Sequence, residues 1–230
     1  MAEIVMNIGP SGTGKTTGLR NLPPEQTFII KPNPKALMFP GGTTNYINMK
    51  NMFITDDMSI ARKALIEKKA EFKYFVLEDL NHFFNSRTTS AAFIAMKDGG
   101  AAFAKWNQFA ADILQNLIIV AKELPIDSYL VILAHTEYKD DGTIGMQTSG
   151  KLLESNLYIP GYVNFVLHSI IAGDAKEPDY YYLTKPDGLH LAKSPVGCLE
   201  RQYRNDMFKV LQQIELYKQG KSTIPIKFKE

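Results

Sequence analysis

Cys198 is the only cysteine among 230 residues, which excludes an internal disulfide and a cysteine-cluster metal site and predicts a buried, inert thiol in a reducing compartment. An excess of either charge is also missing. Lys and Arg number 26 against 24 Asp and Glu, so the net charge of +2 announces neither a nucleic-acid nor a membrane surface, although a balanced sum can contain a local basic groove. Arginine is sparse and dispersed, at Arg20, Arg62, Arg87, Arg201 and Arg204, which weighs against the arginine clamp of a small-molecule kinase. His82, His135, His168 and His190 lack metal-ligand spacing. No apolar run reaches the ~20 residues that cross a bilayer, and no basic stretch followed by an apolar one opens the chain. A cytoplasmic protein without membrane attachment is expected. No repeat or linker interrupts residues 1–230, which read as a single domain with a closing helix and tail over 200–230.

Apolar runs alternate with helical periodicities through most of the chain. Residues 3–8 (EIVMNI) predict a buried strand, and residues 15–22 the first turns of a helix stopped by Pro23-Pro24. Residues 27–30 predict a second strand; the prolines and glycines of residues 31–42 then predict a long loop. An amphipathic helix is expected over 56–70, with Ile60, Ala64 and Leu65 facing inward. Tyr74-Phe75-Val76-Leu77 is apolar without alternation, as suits an interior strand of a parallel sheet. After the glycine lead-in Lys97-Asp98-Gly99-Gly100, a long helix is predicted over 102–124 on the stripe Phe103, Trp106, Ala110, Ile113, Leu114, Leu117 and Ala121. Residues 129–134 form another buried strand, followed by a polar loop over 139–148. Residues 162–172 and 180–184 read as strands, the second turning through Lys185-Pro186-Asp187-Gly188 into 189–192, and 200–219 as a helix ended by Gly220. The expected fold is α/β, with a mainly parallel sheet and an antiparallel C-terminal edge.

Gly9-Pro10-Ser11-Gly12-Thr13-Gly14-Lys15-Thr16, followed by Thr17, matches the phosphate-binding loop G-x-x-x-x-G-K-[ST] between a predicted strand and a predicted helix. Glycines let consecutive backbone N–H groups face phosphate oxygens, and a helix start adds partial positive charge. Lys15 then reaches the terminal phosphates of ATP, and the Thr16 hydroxyl is placed to coordinate Mg²⁺. Glu78-Asp79 follows the strand at 74–77, where carboxylates can hold Mg²⁺ and orient or deprotonate an attacking water. Which does which is open, and the bland alternative is that one merely caps the next helix. Glu in the first place departs from the usual Asp. His135 and Thr136 end the strand 129–134 at the same edge, where a polar group can sense the γ-phosphate. Single-stranded DNA has two candidate grips: residues 97–105 with Phe103 and Trp106, and residues 139–151. The aromatics lie on the core stripe, which favours a packing role for them.

The glycine loop, FVLED at 75–79, LAHTE at 133–137, SGKLLES at 149–155 and AKSPVG at 192–197 together resemble the bacteriophage RecA-like ATPases, the ATP-binding or single-strand annealing proteins of phages. The likeness spans nearly the whole chain, including residues 35–42 and Asn205-Asp206. It implies a RecA-like core, catalytic Lys15, Glu78, Asp79 and His135, ATP and Mg²⁺ as cofactors, and a DNA-facing segment after His135. It also implies a homo-oligomer, with Lys185 or Lys193 completing a neighbour's site as an arginine finger does. One departure stands out: the second strand ends in Lys31-Pro32, without the water-activating glutamate of recombinase relatives, so slow or DNA-stimulated turnover is expected. A phage recombination or replication ATPase acting on single strands is the leading reading. A nucleotide-dependent regulatory or structural module and a small-molecule kinase are the alternatives.

Overall fold

The computed structural model describes residues 1–96, 100–174 and 176–225, and of residues 100–103, 151 and 152 the backbone course alone. In chain order the strands are β1 (Glu3–Ile8), β2 (Thr27–Lys31), β3 (Met52–Ile54), β4 (Tyr74–Leu77), β5 (Tyr129–Ala134), β6 (Thr136–Tyr138), β7 (Ile144–Met146), β8 (Phe165–Ala172), β9 (Asp179–Leu183) and β10 (Gln202–Arg204). The helices are α1 (Gly42–Asn45), α2 (Met58–Glu67), α3 (Leu80–Thr89), α4 (Ala91–Ala95), α5 (Gly100–Ile113), α6 (Lys151–Asn156) and α7 (Met207–Lys218).

Eight strands make one sheet in the order β10-β9-β8-β1-β5-β4-β2-β3; β8 through β3 run parallel, and β9 and β10 join antiparallel. The expected α/β architecture, mainly parallel with an antiparallel C-terminal edge, is what forms. Its cause lies in the strands' two-sided apolarity. Along β1, Ile4, Met6 and Ile8 face one core with α2, α3 and α5, while Val5 faces a second core with α7. Asp57 caps α2 by accepting from the N–H groups of Ser59 and Ile60. That start sets the buried stripe as Met58, Ala61, Ala64 and Leu65, leaving the predicted inward Ile60 exposed.

Five local expectations fail. The helix after the glycine loop shrinks to a single 3₁₀ turn, Thr17–Leu19. Gly18 within that turn lies under β9, and Pro23-Pro24 follow, so the chain cannot propagate a helix there. The long helix is interrupted: α5 passes into a π turn at Leu114–Ile118 and a 3₁₀ turn at Ile119–Lys122. Residues 139–148 belong to an antiparallel hairpin, β6–β7, closed by Asp140-Asp141-Gly142 with Gly142 at φ 82°. Residues 189–193 do not pair with β9. They strap the hairpin to β8, through Ile144 and Val166, and the partner of β9 is β10, cut from the predicted last helix. Asp206, accepting from the Lys209 N–H, delays that helix to Met207. Lys97 to Gly99 and the side chain of Phe103 lie outside the described residues.

Tyr182 on β9 is fully buried, and its hydroxyl has no hydrogen-bond partner among the described residues. A Cβ on Gly18 would come within 1.8 Å of that oxygen. An orphaned buried hydroxyl costs ~1–3 kcal/mol, so Tyr182→Phe is expected to leave stability unchanged or raise it by about 1 kcal/mol in denaturant unfolding. A loss of more than about 1 kcal/mol would mean that the hydroxyl is bonded after all.

Candidate nucleotide site

The parallel register aligns Ile8 of β1 with Ala134 of β5, Ile132 of β5 with Leu77 of β4, and Leu77 with Ile30 of β2. The residues that follow each strand therefore gather at one edge: the glycine loop, His135, Glu78-Asp79 and, ending β2, Lys31. Within the loop, Gly12 and Gly14 adopt φ of 84° and 78°, a conformation that L side chains rarely take. Thr13, buried, closes the loop by donating from Oγ1 to Pro10 O at 2.8 Å. Gly9 is held close, since a Cβ there would meet Thr13 Oγ1 at 2.8 Å and Ser169 at 2.9 Å. Lys15 Nζ donates to the carbonyls of Gly9 and Pro10, both at 2.8 Å. Asn205 clamps the loop from the other side, Nδ2 donating to Gly14 O at 3.0 Å, and Arg20 donates to Asn205 O at 2.6 Å.

Ser11, Gly12, Gly14, Lys15, Thr16 and Thr17 open onto a cleft of about 660 Å³, a size common for small-molecule sites. Gly9, Pro10 and Thr13, also expected to bind the nucleotide, shape the loop instead of lining the cleft. The other walls bring Glu78, Asp79 and His135 together with Arg20, Lys31, Lys35, Tyr180 and Arg204, none of which was expected to bind the nucleotide. Five cationic side chains, Lys15, Arg20, Lys31, Lys35 and Arg204, face three carboxylates, Glu78, Asp79 and Asp179, so the cleft suits a polyanion.

The two adjacent carboxylates take different partners. Glu78 accepts from Thr16 Oγ1 at 2.8 Å through Oε1, and its Oε2 lies 3.2 Å from Lys31 Nζ. Asp79, at φ 67°, caps α3 by accepting from the His82 N–H, and its Oδ1 lies 3.8 Å from His135 Nε2. The capping role and a place in the cleft thus coexist in one residue. Among the described residues no three His, Cys, Asp or Glu groups converge to hold a metal alone. One hydroxyl and one carboxylate, at Thr16 and Glu78, fit Mg²⁺, which keeps several waters and takes its remaining ligands from substrate phosphates. Lys31, 2% exposed, is the charged group most hidden from sequence reasoning. The available signal was a lysine closing an apolar strand at the level of Glu78.

Burial lowers the Lys15 ammonium to about 8, with Asp79 opposing. His135 is lowered by burial and then by Lys15, again against Asp79, so its imidazole is neutral near pH 7. Behind the loop, His168 is 1% exposed and pushed down to about 4 by burial and by His190, whose ring stacks on it edge-on at 4.6 Å. Burial pushes the Cys198 thiol up to about 12, in keeping with the inert thiol expected.

His135 also connects the cleft to the hairpin. Its N–H donates to Asn81 Oδ1 at 2.6 Å, Asn81 Nδ2 donates to Gln147 O at 2.9 Å, and Gln147 N–H donates to His135 O at 2.8 Å. The expected DNA-facing lysine at that hairpin is already paired: Lys139 Nζ lies 2.8 Å from Glu137 and 2.6 Å from Glu154. Glu137, Asp140, Asp141 and Glu154 line the hollow beside it, making this surface acidic, not basic. Trp106 packs edge-on against Phe93 at 5.2 Å, and Lys105 sits over the Phe93 ring, so neither stands ready as a base-stacking platform. Lys185 and Lys193 donate to carbonyls of their own chain, at Ser194 and Pro195 and at Pro160 and Val163.

No protein-family model matches the chain, and no curated protein matches it. Among solved structures it is similar to a KaiC-like protein of the hyperthermophilic archaeon Pyrococcus horikoshii, at 14% identity and a TM-score of 0.46 over 79% of this chain and 77% of that one.

Anion binding favours the charged form of Lys15, so the bound state holds its proton to higher pH than the free state. Because burial lowers the free group to about 8, ATP affinity is expected to fall as pH rises above that value, with proton uptake on binding. Calorimetry in buffers of differing ionisation enthalpy measures that uptake. Flat affinity without uptake would remove Lys15 from the phosphate site.

Proposed function

We propose that the chain is a RecA-like, Mg²⁺-dependent ATPase whose nucleotide state is passed to the β6–β7 hairpin. The observation that carries this reading is the convergence of Lys15, Thr16 and Glu78 at the edge of a parallel sheet, beside a glycine loop with two left-handed glycines. Lys15 binds the terminal phosphates in exchange for the carbonyls of Gly9 and Pro10. Thr16 and Glu78 would hold Mg²⁺, which would neutralise charge on the phosphates when bound. Asp79 holds the attacking water, and His135 stands beside that carboxylate, Nε2 3.8 Å from Oδ1. In the reaction the water oxygen bonds to the terminal phosphorus and the bond from phosphorus to the bridging oxygen breaks. The water's proton passes to Asp79, and ADP departs as the anion.

Single-stranded DNA is the partner proposed for this ATPase, on the strength of the sequence resemblance, together with assembly of several copies. The acidic hairpin favours a second reading, a nucleotide-gated module whose partner is not DNA, because like charge repels phosphates. ATP hydrolysis with and without single-stranded DNA separates the two, using the wild type and Lys15→Ala. The ATPase reading expects wild-type turnover that falls by roughly 10²-fold or more in the variant. DNA stimulation that weakens steeply with salt supports the DNA role; turnover indifferent to DNA supports the gated module. Absence of hydrolysis in the wild type would falsify the catalytic reading.

A further inference from the structure

Lys31 is used by none of the steps above, yet it occupies the cleft with an ammonium that is almost wholly removed from water. A buried ammonium persists only with partners for its charge and its three donors. Its partners are Glu78 Oε2, at 3.2 Å, and the carbonyl of Lys35. The same Glu78 gives its other oxygen to Thr16, so one carboxylate is shared between the hydroxyl and the ammonium. Any second cation that takes Glu78 competes with Lys31 for it.

The cleft also has a direction. From the glycine loop one arm runs toward Tyr180, Arg204 and Asn205, on the β9–β10 side of β1; the other runs toward Glu78 and Lys31, across β5 to β4 and β2. Tyr180, 38% exposed, offers a ring on which a base can stack, whereas the opposite arm carries Glu78, Lys31 and Lys35 beside Asn33, Ala36 and Met38, with no Tyr, Phe or Trp among its described lining residues. A nucleotide laid along the cleft with its phosphates on the loop therefore directs the end of its phosphate chain toward Lys31.

We propose that Lys31 is a specificity-determining cation that reads the terminal phosphate of a nucleoside triphosphate, freed for it when Glu78 takes a metal ion in place of the ammonium. The inference rests on the nucleotide reading of the cleft and adds to it a distinction between triphosphate and diphosphate. Release of Lys31 also releases the Lys35 carbonyl, so the loop that carries Asn33, Lys35 and Met38 along the cleft wall is loosened by the same exchange. A lysine serving only as a structural counter-ion for Glu78 would alter the affinity of both nucleotides alike.

The test measures binding of ADP and of a non-hydrolysable ATP analogue, each with Mg²⁺, to the wild type, Lys31→Met and Lys31→Arg by calorimetry. The wild type is expected to prefer the triphosphate. Lys31→Met reduces that preference by roughly tenfold or more, as befits loss of a charge-assisted hydrogen bond, while ADP affinity holds or rises; Lys31→Arg keeps part of the preference. If the Met variant does not fold, Lys31→Gln, which retains a donor for the Lys35 carbonyl without the charge, gives the same reading. An unchanged triphosphate preference in the uncharged variant, or equal wild-type affinity for both nucleotides, overturns the role of Lys31 and leaves the nucleotide site standing. Failure of the wild type to bind either nucleotide overturns the site itself.

Discussion

Along β5 every residue from Tyr129 to Ala134 is buried, and parallel pairing with β1 on one side and β4 on the other leaves no freedom in where those strands end. A slip of one residue would turn each side chain to the opposite core. Because Ile4, Met6 and Ile8 belong to one core and Val5 to the other, such a slip would exchange whole faces. The chemistry at the edge inherits this rigidity. Thr16 and Glu78 are 62 residues apart in the chain, and their 2.8 Å contact exists because two hydrophobic cores hold the register of β1, β5 and β4.

What was legible follows from the same cause. Strands buried on both faces leave uninterrupted apolar runs, so 3–8, 74–77 and 129–134 could be placed to within a residue, and with them the loop, Glu78, Asp79 and His135. Elements held by tertiary contacts were not legible. The turn after the glycine loop stays short because Gly18 lies against Tyr182, on a strand more than 160 residues later. The strand β10 exists because β9 offers it an edge, in a segment whose polar residues read equally well as a helix start. The hairpin β6–β7 did carry a turn signal in Asp140-Asp141-Gly142, but its strands are three residues each, too short for an alternation to be seen. Asn205 and Arg20 reach the loop from opposite ends of the chain, and local sequence holds no record of that meeting.

Two acid–base pairs in the cleft differ from each other in exposure. Lys31 is buried and Glu78 nearly so, whereas Asp79 and His135 are about one-third exposed. Removing one member of a buried pair strands the other at a cost of about 3–5 kcal/mol, but an exposed pair is worth ~1 kcal/mol or less. Glu78 is therefore the harder group to disturb, and a ligand that engages it must bring a cation of its own. Asp79 and His135 can adjust at small cost, which suits groups that handle a water and a proton.

That response has a short route out of the cleft. His135 lies beside Asp79 through its ring and is bonded through its backbone N–H and carbonyl to Asn81 and Gln147, and Asn81 closes the triangle. Asn81 is 7% exposed and uses both ends of its amide, so neither end can move without stranding a buried polar group. The backbone of His135 is thereby tied to the hairpin root, so the residue that faces Asp79 and the start of the hairpin are held as one unit. The strap at 189–193 binds the far strand of the hairpin to β8, so the hairpin is held at its root by β5 and along its side by β8. An element held at both places can tilt but cannot flap. The face beside the hairpin carries Glu137, Asp140, Asp141 and Glu154 around Lys139, a charge pattern that disfavours a phosphate backbone there and favours a basic surface.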